Sequence, residues 1–412
     1  MKIVGLIAEY NPFHNGHKYH IEAAIEATGS DAAIVLMSGN FVQRGTPAIM
    51  PKQLRAEAAL RNGASLVLEL PVCFACGSAE YFARGAVGIF DALGCVDCIC
   101  FGSESGNVDD LEQVARILDE EPEEYRTLLK SNLKSGISFP LARQKAIKEY
   151  TQNESLAALL ASPNNTLGIE YIKALHAIES PMTAFTIKRV ESDYHDTALT
   201  DHYSSASAIR NHLSNAESLS DTLLRLKNNI PENCLRLMEE NYQIRYPVYA
   251  DDLSLLLKYR LLSETKDTLT EYADVTEELA CRIMNRLNGF LSWNQFCDLL
   301  KTKEVTYTRI SRALLHILLG IRKEDMKRYT RKHDAMYARV LGFRKSDAGI
   351  LTELKRTAIV PIITKLNQAS LDEDAHKMLQ TDLYAADIYE SVLTCKYHTP
   401  YIPSPSHPLV IL

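Results

Sequence analysis

Residues 2–17 read Lys2-Ile3-Val4-Gly5-Leu6-Ile7-Ala8-Glu9-Tyr10-Asn11-Pro12-Phe13-His14-Asn15-Gly16-His17. Ile3, Val4, Leu6 and Ile7 form a short apolar run of strand length, as expected for a strand buried on both faces. Asn11-Pro12 turns the chain after it. From Gly16 the spacing of Ile21, Ala24 and Ile25 predicts a helix, with Gly29 as its stop. A strand that feeds a helix through a short polar loop is half of a βαβ unit. Its loop lies beyond the carboxyl end of the strand, where open parallel sheets bind ligands.

The alternation continues outward. Apolar runs at 32–37, 65–70, 96–101 and 183–190 predict further strands, and residues 52–62 and 79–93 predict helices between them. Residues 105–160 read as mostly helical. Ser162-Pro163-Asn164-Asn165 is a strong turn with a helix expected over 167–178. From about Leu213 the pattern is helical almost throughout, as in Leu253-Leu257-Leu261 and Ile310-Leu314-Ile317-Ile321. The expected fold is therefore α/β: a Rossmann-like parallel-sheet domain over residues 1–212, then a mainly α-helical region over 213–412.

Composition sets the class. The 412 residues are 46% hydrophobic and 24% charged, enough for a real core. No apolar run reaches the ~18 residues that would span a bilayer. Met1 to Glu9 lacks the basic start, long apolar core and cleavage site of a signal peptide. A cytoplasmic protein with no membrane association is expected, and no protein partner is predicted. Nine cysteines, an odd number, fit reduced thiols. The net charge is −7, but residues 301–345 hold thirteen Lys/Arg against four Asp/Glu, a local +9 that leaves −16 for the rest. Such asymmetry predicts a basic, RNA-binding surface at 301–345 on an acidic body. Of its thirteen cations, Arg309, Arg312, Arg322, Lys323, Lys327, Arg328, Arg331 and Lys332 recur along predicted helices, where several could form one face, and Tyr307, Tyr329 and Tyr337 are candidates to stack on bases.

The loop after the first strand carries His14-Asn15-Gly16-His17. A helix starting there offers free N–H groups and the positive end of its dipole to a phosphate. Histidines three apart face one side of the first turn, and Gly16 removes a side chain where a ligand approaches the backbone. A chance pair of histidines near a turn would not be expected to fall between strand and helix. Gln43, Arg44 and Lys52 follow the second strand, where the position allows either substrate contact or a solvated loop.

These elements resemble the nucleotidyltransferase superfamily, in the H-x-G-H string and in Ser205-Ala206-Ser207-Ala208-Ile209-Arg210, which is similar to that superfamily's S-[SA]-[TS]-x-I-R motif. Glu9 to His17, Ser38-Gly39-Asn40-Phe41-Val42-Gln43-Arg44-Gly45, Phe101-Gly102-Ser103-Glu104 and Pro163-Asn164-Asn165 narrow the resemblance to the bacterial tRNA(Met) cytidine acetate ligase family. The resemblance implies a ligase that forms acetyl-adenylate from ATP and acetate, with Mg2+ accompanying ATP. The acetyl group then passes to the wobble cytidine of elongator tRNA(Met), giving N(4)-acetylcytidine. It carries ATP contact to Ile7, Ala8, Glu9, Tyr10, Asn11, Pro12, Phe13, His14, Asn15, Gly16, His17, Lys18, Tyr19 and His20, to Gly102, to Asn164 or Asn165, and to Lys188 and Arg189. His14 and His17 would stabilise the α-phosphate, Arg210 the leaving pyrophosphate, and Ser205 and Ser207 would add hydroxyl donors. The alternative within the superfamily is a small-molecule nucleotidyltransferase that releases pyrophosphate, which leaves the basic stretch unexplained. Cys73-x-x-Cys76 and Cys95-x-x-Cys98 have a spacing that zinc allows, but Cys95, Cys98 and Cys100 fall in or beside an apolar strand, so no metal site is expected.

Overall fold

The computed structural model describes residues 1–189, 204–215, 218–331 and 336–412. Strand β1 (Ile3–Ala8) is the expected first strand. After it come β2 (Ala32–Ser38), a hairpin of β3 (Phe41–Val42) and β4 (Thr46–Pro47), β5 (Leu66–Leu70), β6 (Cys98–Ser103) and β7 (Thr183–Lys188). The expected last residue of β7, Val190, lies outside the described residues. The later strands are β8 (Ala338–Phe343), β9 (Ile362–Ile363) and β10 (Val410–Ile411).

The sheet order is β10-β8-β5-β2-β1-β6-β7. The five strands from β5 to β7 are parallel throughout. Strand order reverses between β1 and β6, so a crevice opens at their carboxyl ends. Side chains alternate between two apolar layers: Ile3, Ile34, Leu36, Leu66 and Ile99 face one, and Val4, Val35, Met37, Val67 and Cys100 face the other. Burial on both faces is why these strands read as continuous apolar runs. Helix Asn15–Thr28 covers the second layer through Ile21 and Ala24, and helices Ala79–Leu93 and Pro163–Ala177 cover the first. A Cβ on Gly5 would lie 2.8 Å from the Phe90 ring, so the close seat of helix Ala79–Leu93 on β1 depends on that glycine.

The region beyond residue 212 does not stand apart as a helical unit. Strand β8 pairs antiparallel with β5, and β9 and β10 pair parallel with β8, so the C-terminal half extends the same sheet. Local pattern hid β8: its apolar run lies inside the cationic stretch, between helical segments. Buried charge ties the halves together. Glu69 of β5 takes Lys52 at 2.6 Å and Arg339 of β8 at 3.1 Å, and Asp382 of the long helix Glu373–Tyr397 accepts from the Val72 N–H at 2.7 Å and the Tyr337 hydroxyl at 2.5 Å.

Cys73 and Cys76 pack in the first layer with Cys95 against it, and Cys98 packs in the second, so the four cysteines of the zinc-like spacing do not share one side of the sheet. Among the described residues no helix is long and apolar enough to cross a membrane.

Candidate active site

The loop after β1 turns through Tyr10, in the left-handed region at φ 48°, and delivers His14 as the N-cap of helix Asn15–Thr28. His14 Nδ1 accepts from the Gly16 N–H at 3.1 Å, and His17 Nδ1 accepts from the His14 N–H at 3.3 Å. The two rings stack with centroids 3.7 Å apart. Desolvation, then the Arg189 and Arg210 charges, pull His14 down to about 3. Desolvation and His14 hold His17 well below the usual imidazole range, and desolvation and Arg189 take His20 to about 4. Both capping rings are therefore neutral, and a neutral ring whose Nδ1 accepts carries its proton on Nε2. The backbone thus sets two Nε2–H donors at the helix N-terminus.

One cleft gathers most of the expected residues: Ile7, Ala8, Glu9, Tyr10, Asn11, His14, Gly16, His17, Tyr19, His20, Gly102, Asn164, Lys188, Arg189, Ser205, Ser207 and Arg210. It sits across the carboxyl ends of β1, β6 and β7. A second groove near the start of β7 is lined by acids and apolar groups such as Asp109, Glu112 and Met182. It lies beside the start of β7, and no lysine or arginine is among its lining residues.

Arg210 is fixed on both arms, donating to the Asn11 carbonyl at 2.7 Å and to Ser207 Oγ at 2.9 Å. Ser205 caps helix Ala206–Ser214 by accepting from the Ala208 N–H, so a second helix N-terminus opens into the cleft. The Arg189 chain lies over Gly102, where a Cβ would come within 3.4 Å of its Cγ. Cations thus converge from helix Ala206–Ser214 and from the end of β7.

Four residues of the expected ATP segment point elsewhere. Phe13 is core, Lys18 faces Glu22 at 3.9 Å, and Asn15 donates to the Asn228 carbonyl at 2.8 Å. Pro12 forms a cis peptide with Asn11 and does not line the cleft. The Asn pair divides: Asn164 lines the cleft, whereas Asn165 is 3% exposed and its Oδ1 accepts from the Glu104 and Ser105 N–H groups at 3.0 and 3.1 Å. Glu104 replies by capping helix Pro163–Ala177, accepting from the Asn164 and Asn165 N–H groups.

A family model described as HIGH Nucleotidyl Transferase matches residues 1–400. The tRNA(Met) cytidine acetate ligase of Acetivibrio thermocellus is 40% identical over 394 residues, 94% of each chain, and that of Clostridium novyi is 38% identical over 98% of this chain and 99% of its own. The chain belongs to the tRNA(Met) cytidine acetate ligase family. Crystal structures of Thermotoga maritima TmcAL, apo and bound with alpha-thio ATP, superpose with TM-scores of 0.92 and 0.89 at 34% identity, each covering 100% of both chains. The ligase family thus carries the nucleotidyltransferase fold together with the whole C-terminal half.

Within this ligase, the residues after β2 separate. Gln43 and Arg44 line the cleft, but Lys52 is 1% exposed and spent on Glu69, in the core rather than in the cleft or a solvated loop. Sequence pattern does not single out Arg55. It is 1% exposed and donates to the carbonyls of Glu9 and Ser38 at 2.6 and 3.0 Å, and to that of Gly39. It clamps the ends of β1 and β2, and nothing in its sequence neighbourhood distinguishes it from a solvated helix cation.

The basic stretch of the ligase is likewise dispersed. Arg312 pairs with Asp274, Arg322 with Glu271, Arg328 with Asp374 and Glu324, and Arg344 with Asp347. Lys323 donates to two backbone carbonyls, and Arg339 is buried on Glu69. Tyr329 and Tyr337 are core residues at 3% and 1% exposure, and Tyr307 donates to Asn294 Oδ1 at 2.6 Å; the first two cannot stack on a base. Lys332 lies outside the described residues.

Proposed function

We propose that the protein activates acetate with ATP and transfers the acetyl group to the wobble cytidine of elongator tRNA(Met), forming N(4)-acetylcytidine. The observation that carries the reading is the pair of stacked, neutral histidines whose Nδ1 atoms are held by backbone N–H groups. Their Nε2–H donors, the two helix N-termini and Arg189 and Arg210 form a pre-set cradle for a polyphosphate. The names of its relatives and the alpha-thio ATP bound by the Thermotoga protein support the same reading.

In the first step an acetate oxygen attacks the α-phosphorus of ATP. The new P–O bond forms as the bond to the β-phosphate breaks, and pyrophosphate departs towards Arg210. In the second step the cytidine N4 attacks the acetyl carbonyl, AMP leaves, and the amine loses one proton. Both steps run on positioning and fixed charge. Mg2+ is proposed to travel with the ATP phosphates, supplying charge neutralisation. The chain's own carboxylates there are engaged, Glu9 with the Gln43 N–H and Glu104 as a helix cap, and among the described residues no group of three ligating side chains forms a cage.

For tRNA, the exposed cations remaining in the basic stretch include Lys301, Lys303, Lys327 and Lys345, and a cytoplasmic location follows from that substrate. The test is incubation with ATP, acetate and tRNA(Met), followed by nucleoside mass spectrometry. Acetylcytidine at the wobble position, dependent on both ATP and acetate, is the expected product; its absence would sink the reading.

A further inference from the structure

The cleft runs across the strand ends, from the β3–β4 hairpin at one end to Lys188 and Arg189 at the other. The ATP contacts implied by the motif resemblance occupy its middle and its β7 end. The opposite end, on the β2 side, is left unassigned beyond Glu9. Val42 and Arg44 of the hairpin line it there, and Phe82 of helix Ala79–Leu93 and Tyr171 of helix Pro163–Ala177 line the same cleft from the first apolar layer.

This end combines an apolar floor with a cationic rim. Val42, Phe82 and Tyr171 are 2, 4 and 5% exposed, so the apolar surface they leave to a ligand is small. The floor is also rigid. The Gln43 N–H is held on Glu9 Oε1 at 2.9 Å, the Gly45 carbonyl accepts from a buried serine at 2.8 Å, and the Tyr171 ring sits 5.5 Å from Phe101. Close-packed walls of this kind do not yield to an extra methylene without strain. At the rim, the Arg44 charge reaches Arg210, so an anion entering here is drawn towards the phosphate cradle.

We propose that the β2 end of the cleft is the acyl-group subsite of a short-chain monocarboxylate, with Arg44 receiving the carboxylate and Val42, Phe82 and Tyr171 forming a floor that seats a methyl group and excludes longer chains. The proposal rests on the acetate-activating function above and adds the determinant of acid size.

The test is carboxylate-dependent ATP–pyrophosphate exchange on the full chain, with and without tRNA, using acetate, propionate and butyrate. The wild type favours acetate. Val42→Ala deepens the floor and raises the propionate-to-acetate ratio of kcat/KM by roughly 10–200-fold, the range for one methylene in an apolar pocket. Val42→Leu fills the floor and lowers kcat/KM for acetate, while the Kd for ATP holds in both variants. Two results overturn the subsite alone: acetate-dependent exchange with a ratio unmoved by either variant, or a shifted ATP Kd with the acid ratio unchanged, which would place adenosine on this floor. If no carboxylate stimulates exchange by the wild type, the acetate-activating function fails first and the subsite with it.

Discussion

The Ser311 hydroxyl donates to the Gly45 carbonyl at 2.8 Å, joining residues 266 apart in sequence. Ser311 is fully buried on helix Tyr307–Leu319 and also accepts from Trp293 Nε1 at 3.1 Å. Gly45 has φ +74°, and a Cβ there would stand 2.3 Å from the Arg312 backbone nitrogen. The hairpin that walls the cleft is therefore held by the C-terminal half. Tyr389 adds a second tie through its hydroxyl to the Ala48 carbonyl at 2.8 Å.

Adenylate formation consequently depends on both halves. A chain ending at residue 212 loses β8, which covers the β5 edge, and loses the support of the hairpin. It is expected to be insoluble or inactive in pyrophosphate exchange. In the full chain, Ser311→Ala leaves the buried Trp293 N–H unpaired, at a cost of about 1–3 kcal/mol, read as a lower urea midpoint. An active 1–212 fragment would contradict this dependence.

His14 is the N-cap of its helix as well as a proposed donor to the phosphate, so alanine is a poor probe there. His14→Ala removes the cap and lowers stability by about 0.5–2 kcal/mol. His14→Asn keeps an acceptor for the Gly16 N–H while deleting the Nε2–H donor. The expected result for His14→Asn is a melting temperature near that of the wild type, with exchange lowered by roughly 10²–10³, the usual effect of losing one preorganised donor. Wild-type exchange rates in His14→Asn would remove His14 from the chemistry.

Acid should destabilise the free protein through the same ring cluster. His14 and His20 are held neutral, at about 3 and about 4, against an unfolded value near 6.5. A depressed value means that the unfolded chain binds more protons. The stabilisation is therefore complete above pH 6.5 and is lost as pH falls towards 4. Denaturation midpoints measured between pH 7 and pH 4.5 should decline, and His20→Gln should flatten the decline. An equal slope in the variant would assign the acid sensitivity elsewhere.

Reversing single cations should separate RNA binding from internal pairing. Lys303→Glu with Lys327→Glu is expected to weaken tRNA binding and to reduce its log–log salt slope by roughly 0.7 to 0.9 for each phosphate no longer neutralised, leaving tRNA-independent exchange intact. Arg328→Glu instead sets like charge against Asp374 and Glu324. Its expected effect is a lower melting temperature with the tRNA salt slope unchanged. Filter binding across a salt series and thermal melts distinguish the two classes.

Local pattern alone carried the parallel half of the sheet and the ligand loop. Strands buried on both faces need continuous apolar runs, and β1, β2, β5, β6 and β7 show them. The His14-to-His17 segment was legible because a helix N-terminus and its capping side chains are built from neighbours in sequence. Tertiary structure decided the rest. Lys52, Arg55 and Arg339 look like surface cations until Glu69 and the carbonyls of Glu9, Ser38 and Gly39 are brought to them. Strand β8 joins β5 across more than 260 residues, and Tyr329 and Tyr337 face the core. Periodicity reports which side of an element is apolar, but a long-range pairing depends on which partner arrives there, and that is settled only when the chain closes on itself.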